Sequence, residues 1–85
     1  MRVIFKYPYN NEISMPESAE VFYLGYQGNV LTMWAIVDTD SPNVNRRFSL
    51  YGTGWPIEDA DLGYIGSVFD GPFVWHVFER YSPVA

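Results

Sequence analysis

Apolar and polar residues alternate along the first part of the chain, with apolar side chains at every second position of residues 3–9. This period of two predicts a strand with one buried and one solvent-facing side. Two asparagines at positions 10 and 11 signal a turn, and residues 12–15 form a second short strand that Pro16 ends. The pattern therefore predicts that the first two strands form a hairpin.

The clearest hairpin lies over residues 21–38. Two runs rich in β-branched and aromatic residues, 21–27 and 30–38, flank Gly28, which can adopt the positive φ of a tight turn. The second run is apolar on both sides, which favours a strand in the middle of a sheet that is covered on both faces. A helix is the competing interpretation, because the period of a short apolar run is ambiguous.

The second half of the chain contains further short strands. A polar loop over residues 38–43 leads to a strand over residues 46–52, which a glycine-rich segment then ends. At most one helical turn fits residues 58–62. A second hairpin, over residues 64–80, closes the chain because an Asp-Gly-Pro turn divides two strand-like runs.

Together these elements predict a mostly β fold. The expected architecture is a small antiparallel β-sheet or a partly closed β-barrel of six to seven short strands, with at most one short helical turn. A chain of 85 residues is long enough for one core only. We therefore expect residues 1–81 to form a single domain and residues 82–85 to be a C-terminal tail.

Composition narrows the class of protein. Aromatic residues make up 19% of the chain, more than one small core can cover, which predicts a homo-oligomer. The absence of cysteine argues against a disulfide framework and favours the cytoplasm, and no apolar run is long enough for a membrane span. A net charge of −5 argues against direct binding to nucleic acid or to anionic membranes.

The sequence lacks the residue patterns of known catalytic sites. One histidine, no cysteine and no Gly-x-Ser-x-Gly motif predict that the protein is not an enzyme. Neither metal-ligand spacing nor a cofactor motif is present, so we expect no metal and no cofactor. His76 is expected to be a partly buried histidine bonded to a backbone carbonyl or a carboxylate. The alternative is a ligand contact or a group at an interface that depends on protonation.

The segment from Tyr51 to Pro56 is the best candidate for a ligand-binding site. Its glycines, among them Gly54, allow backbone N–H groups to approach an anion, while Thr53 offers a hydroxyl and Trp55 a stacking surface. It lacks the Lys-Ser/Thr ending of a phosphate-binding P-loop. The alternative interpretation is a glycine-shaped bend that folds Trp55 over the core.

Arg46 and Arg47 form the only adjacent basic pair in this acidic chain. On a strand their side chains point to opposite sides, so they cannot both clamp one ligand from the same side. Either they are solvated or salt-bridged, or one of them lies near the bend and holds a phosphate while an aromatic ring holds a base. The acidic residues Glu58, Asp59 and Asp61 are expected in a solvated turn rather than in a general acid/base pair.

Four segments of the sequence resemble a family of small uncharacterised proteins from bacteriophages and their bacterial hosts. They are residues 1–7 (MRVIFKY), 34–38 (WAIVD), 52–57 (GTGWPI) and 73–79 (FVWHVFE). The resemblance spans nearly the whole chain. It implies a small accessory protein that is encoded by a phage and made in the host bacterial cytoplasm.

Three functions remain open at this point. The first is counter-defence, in which a non-enzymatic homo-oligomer sequesters a small nucleotide-like ligand at a subunit interface. The second is inhibition of a host defence protein by direct binding through an edge strand or an aromatic patch. The third is a structural role in the phage particle. The candidate ligand-binding residues are Arg46, Arg47, Tyr51, Thr53, Gly54, Trp55 and His76.

Overall fold

Seven antiparallel strands make up the domain. The computed structural model describes residues 1–81, and the predicted tail over residues 82–85 lies outside them. The mostly β prediction is confirmed, although no helix occurs in the described residues and the helical turn allowed over residues 58–62 does not form. The strands are β1 (Arg2–Pro8), β2 (Glu12–Pro16), β3 (Glu20–Gln27), β4 (Val30–Asp38), β5 (Asn43–Gly52), β6 (Leu62–Asp70) and β7 (Phe73–Arg80).

The strands form two sheets, neither of which closes into a barrel. One sheet has three strands in the order β1-β4-β3, and the other has four in the order β2-β5-β7-β6. Two of the three predicted hairpins, β3–β4 and β6–β7, are confirmed. Gly28 and Gly71 adopt φ values of 61° and 57° at their turns, a region that favours glycine over other residues. The prediction that β4 is a strand in the middle of a sheet, rather than a helix, is also confirmed.

The predicted hairpin of β1 with β2 is wrong. β1 pairs with β4, where Val3 lies opposite Val37, whereas β2 pairs with β5 in the other sheet. The connection between β1 and β2 crosses from one sheet to the other. At its start the Tyr9 N–H donates to the Leu31 carbonyl of β4 (2.8 Å), and at its end the Asn11 carbonyl accepts from the Phe48 N–H of β5. This arrangement gives β4 and β5 a strand neighbour on each side, which a β1–β2 hairpin would not.

One hydrophobic core lies between the facing sides of the two sheets. Alternate residues of β4 point into it from the three-stranded sheet, and alternate residues of β5 and β7 point into it from the four-stranded sheet. The domain is only 15 Å across in its thinnest direction, as two packed sheets require. The buried core residues are Met15, Ala19, Leu24, Met33, Ala35, Val37, Phe48, Val68 and Val77.

A salt bridge also occupies the interior. Arg46 Nε and Nη2 donate to the two carboxylate oxygens of Glu79 at 2.6 and 2.7 Å, and Arg46 Nη1 donates to the Ala19 carbonyl at 2.6 Å. The side chains of Arg46 and Glu79 are 16% and 9% exposed. The hydrogen bonds that Arg46 donates to Glu79 raise the pKa of Arg46. The pair thus joins β5, β7 and the connection before β3 inside the domain.

The outward side of the three-stranded sheet carries an apolar cluster, which we call the apolar outer face, beside the charged side chains of Arg2, Lys6, Glu20 and Asp38. It is formed by Ile4, Tyr23, Trp34 and Ile36, with Tyr23 58% exposed and its ring centroid 5.5 Å from that of Trp34. The expectation that β4 is covered on both sides is therefore wrong within this chain, because the second sheet covers only the core side.

Candidate functional site

The outward side of the four-stranded sheet gathers most of the polar and aromatic side chains that could bind a ligand. Residues directly opposite each other on antiparallel strands project to the same side. Because of this register, three rows of side chains cross β5, β7 and β6 on that side. The rows are Arg47–Arg80–Leu62, Ser49–Phe78–Tyr64 and Tyr51–His76–Ser67.

A chain of hydrogen bonds crosses this surface through His76. The His76 Nε2 atom lies 2.7 Å from the Thr53 hydroxyl, and Nδ1 lies 2.7 Å from the Ser67 hydroxyl. Ser67 is in turn 2.7 Å from the Tyr64 hydroxyl. Both ring nitrogens are thus bonded to hydroxyls, and not to the backbone carbonyl or carboxylate expected from the sequence. In a neutral imidazole one nitrogen donates and the other accepts, and rotatable hydroxyls can satisfy both.

Asp59 folds back over the same surface from the β5–β6 connection. Its Oδ2 atom accepts a hydrogen bond from the Tyr51 hydroxyl and a second one from the Ser49 hydroxyl, at 3.1 Å. Its Oδ1 atom lies 3.9 Å from Arg80 Nε. The hydrogen bond from Tyr51, followed by that from Ser49, holds the pKa of Asp59 below its usual value, with a smaller effect from Arg80. Partial burial, and then the bond to Asp59, raises the pKa of Tyr51.

A cleft of about 470 Å³ lies where this connection runs beside β5. β2 pairs with β5 only as far as Glu12 opposite Arg47, after which the Phe48 N–H donates to the Asn11 carbonyl at 2.9 Å. Past Phe48, the β5–β6 connection runs beside β5 where a paired strand would otherwise lie. We call this space the Tyr51 cleft; its walls include Asn11, Ser49, Tyr51, Trp55, Asp59 and Arg80.

The glycine-rich bend places Trp55 at the border of the cleft. Gly54 has a φ of 90°, and the Trp55 N–H donates to the Gly52 carbonyl at 3.0 Å. The indole lies over Gly52 so closely that a Cβ atom there would be 2.8 Å from the ring. Its centroid is 5.6 Å from that of Trp75 at an angle of 74°, yet Trp55 is 54% exposed. The segment is therefore a glycine-shaped bend, as the alternative interpretation expects, and the Trp55 indole nevertheless remains accessible to solvent.

The structure brings five of the seven predicted site residues together. Tyr51 lies directly opposite His76 on the outward side, and Thr53 is hydrogen-bonded to His76. Trp55 borders the Tyr51 cleft, and Gly54 supplies the positive φ of the bend. These five residues therefore form a continuous region around the end of β5.

The two predicted arginines separate, as their alternation on a strand requires. Arg46 points to the interior, where Glu79 and the Ala19 carbonyl use its donors. Arg47 projects outward beside Arg80 but does not line the cleft. Of these two sequence candidates, only Arg47 is therefore on the side where a ligand could reach it.

Sequence reasoning missed Asp59 and Arg80, which line the cleft, and Ser67 and Tyr64, which belong to the hydrogen-bond chain through His76. Arg80 follows His76 on the same strand at an even spacing, so strand alternation alone places both on one side. Ser67 and Tyr64 depend on the register of β6, which a bulge between Tyr64 and Gly66 shifts. Nothing in the sequence pattern indicates that Asp59 reaches back to Tyr51.

Two further properties bear on function. Within residues 1–81, no three His, Asp or Glu side chains come together as a metal site would require. Nor does this part of the chain contain a helix with the length and apolar character to cross a membrane.

Comparison with known protein families gives a match over the full length of the chain. The family model for a domain of unknown function, DUF7352, matches residues 1–85, which is the whole chain. No curated protein and no solved structure matches it.

Proposed function

We propose that this protein, which belongs to the DUF7352 family, acts by binding a small nucleotide-like ligand in the Tyr51 cleft. The observation that carries the proposal is the cleft itself. Its volume of about 470 Å³ lies within the range of roughly 300–1,000 Å³ that is usual for small-molecule sites. Aromatic, cationic and hydrogen-bonding groups line the same space, as a ligand with a ring and a charged group needs.

Each wall of the cleft suits one part of a nucleotide. The exposed indole of Trp55 offers a stacking surface for a base, and such stacking contributes about 1–3 kcal/mol per base. The guanidinium of Arg80 is suited to a phosphate, with Arg47 beside it on the sheet. Asp59 already accepts two hydroxyls at Oδ2, which leaves Oδ1 to accept an N–H from the edge of a base.

A second subunit would complete the site. The cleft is open on one side, and large apolar side chains stand exposed around it, including Trp55, Ile57 and Tyr64. A small domain buries a ligand poorly by itself, whereas a symmetric dimer can cover it from both sides. This supports the proposal that the ligand is held at a subunit interface of a homo-oligomer.

The surroundings of His76 support binding without catalysis. In Ser-His-Asp enzymes a carboxylate orients the imidazole and stabilises its protonated form. Here both ring nitrogens of His76 are bonded to the hydroxyls of Thr53 and Ser67. These bonds fix the ring but supply no counter-charge for an imidazolium.

The biological setting in the proposal rests on the sequence resemblance described above. We propose a phage-type accessory protein that works in the bacterial cytoplasm. Removing a nucleotide signal from solution would counter a host defence system that depends on that signal. Because the protein would bind the nucleotide without converting it, each chain or each oligomer would remove a fixed number of ligand molecules.

Isothermal titration calorimetry of the full chain against linear and cyclic nucleotides tests the ligand. We expect at least one nucleotide to bind, and Arg80→Gln to weaken that binding by roughly 10- to 100-fold, because a charged hydrogen bond contributes about 1.5–3 kcal/mol. Arg2→Gln is the matched control, since it changes the net charge equally on the other sheet. The absence of binding by every nucleotide would refute the proposal. Light scattering tests the oligomer, and a monomer of 9.8 kDa would remove the shared site.

The apolar outer face supports a second candidate function, inhibition of a host protein by direct binding. Exposed aromatic clusters with adjacent aliphatic side chains are typical of protein interfaces. A host protein captured by the wild-type chain and by Arg80→Gln, but not by Tyr23→Arg, would favour this function. Co-purification with phage particles would instead indicate a structural role.

A further inference from the structure

Three connections meet at one end of the domain and bring aromatic rings together there. Trp75 is the third residue of β7. The ring of Phe73 is stacked on the Trp75 ring at a centroid distance of 5.6 Å and an angle of 15°. Trp55 comes from the glycine-rich bend and stands nearly perpendicular to Trp75, at 74°. Phe73 is 57% exposed and Trp55 is more than half exposed, so the rings remain accessible to solvent.

A carboxylate faces the same rings. Asp70 Oδ2 accepts hydrogen bonds from the Trp75 Nε1–H, at 3.3 Å, and from the Tyr26 hydroxyl, at 3.2 Å. Neither of these partners carries a positive charge. Asp70 itself is exposed at the turn between β6 and β7. We call this group of Trp55, Phe73, Trp75, Tyr26 and Asp70 the Trp75 corner.

This combination has a specific chemical preference. The faces of aromatic rings carry a negative electrostatic potential, so they attract cations that lie over them. Phe73 is stacked on one face of Trp75 and Gly52 lies under one face of Trp55, so each indole has at most one face for a cation. A carboxylate without a cationic partner adds a full negative charge. The whole chain carries a net charge of −5, which draws cations toward it rather than anions.

We propose that the Trp75 corner is a binding site for a quaternary or methylated ammonium group. The methyl groups of such a cation would pack against the indoles of Trp55 and Trp75 while its charge is balanced by Asp70. A primary ammonium is more strongly hydrated and fits the apolar walls less well. The inference does not rest on the proposed function: both sites use Trp55, but the corner ligand needs neither Asp59 nor Arg80 and carries the opposite charge to a nucleotide.

Tryptophan fluorescence of the full chain, titrated with choline, tests the proposal. We expect a saturable change with choline and none with its neutral isostere, in which a quaternary carbon replaces the nitrogen. Asp70→Asn should weaken choline binding by about fivefold, in line with about 1 kcal/mol for the charge at an accessible site. Glu17→Gln is the matched control, because it makes the same change in net charge at an exposed position far along the chain.

Two further arms make the result decisive. Phe73→Leu removes one exposed ring and should also weaken binding, so the test does not depend on Trp75, whose replacement could disturb the core. Peptides with and without a trimethylated lysine show whether the ammonium can be presented by a protein. Equal responses to choline and its isostere, or equal affinities of Asp70→Asn and Glu17→Gln, would overturn the proposal. Loss of choline binding in Arg80→Gln would move the site to the Tyr51 cleft and overturn it as well.

Discussion

Replacement of Glu79 by alanine should destabilise the domain more than any substitution of a surface charge. The change leaves the Arg46 guanidinium inside the domain with only the Ala19 carbonyl as partner. Breaking a buried ion pair in this way costs about 3–5 kcal/mol. We expect about 3 kcal/mol, because the Arg46 side chain keeps 16% of its exposure and water can partly solvate it.

That loss is large for a domain of this size. At roughly 0.05–0.15 kcal/mol per residue, 85 residues give a free energy of unfolding of roughly 4–13 kcal/mol. A loss of 3 kcal/mol lowers the melting temperature by about 12–24 °C in a small domain. Urea unfolding followed by tryptophan fluorescence gives the free energy directly, and differential scanning calorimetry gives the temperature.

Two variants separate loss of charge from loss of packing. The double variant Arg46→Met with Glu79→Leu removes both charges and fills a similar volume, so its stability should lie within about 1 kcal/mol of the wild type or exceed it. Asp40→Asn removes an exposed charge that bonds only the N-terminal ammonium and should cost less than about 1 kcal/mol. If Glu79→Ala costs no more than Asp40→Asn, the interior pair does not have the role assigned to it.

Three other predictions follow from burial, backbone conformation and charge. Phe48→Ala should cost about 3–5 kcal/mol in urea unfolding because the side chain is fully buried, whereas Phe69→Ala, at 82% exposure, should stay within about 0.5 kcal/mol. Gly28→Ala should cost about 1–2 kcal/mol by the same measurement, since its φ of 61° strains any L side chain, and an unchanged midpoint would contradict this. The pKa of the Asp59 carboxylate, measured by NMR, should lie below the ordinary value of 3.8, and Tyr51→Phe should raise it. Because the pKa of Asp59 is lower in the folded protein than in the unfolded chain, its stabilisation of the fold is complete above the ordinary pKa. That stabilisation is lost as the pH falls through the pKa of the folded protein.

Local patterns correctly predicted the β3–β4 and β6–β7 hairpins, because the residues that fix each of them are close together in sequence. Gly28 lies between two β-rich runs, and the Asp-Gly-Pro turn divides the last two strands, so each pair of strands is fixed by neighbouring residues. The partner of β1 was not predictable in this way. β1 has no turn that ties it to β4, from which it is separated by two other strands in sequence.

The candidate site was predicted only where it lies on a single strand or bend. The alternation of β5 correctly separated Arg46 from Arg47, and the glycines correctly located the bend at Trp55. The same alternation could not show that Glu79, 33 residues away, takes Arg46 into the interior. It also could not show that Asp59 returns to Tyr51, because the path of a connection depends on the space left beside β5.

Each of the four edge strands in the described part of the chain carries a feature that hinders pairing with another chain. β3 and β6 are interrupted by bulges, at Val21/Tyr23 and Tyr64/Gly66. β2 is only five residues long and ends in a proline, and β1 carries Lys6 and ends in a proline as well. These features limit fibre-like growth, in which strand edges add to one another without end. The exposed aromatic rings of this protein are therefore combined with strand edges that resist edge-to-edge association.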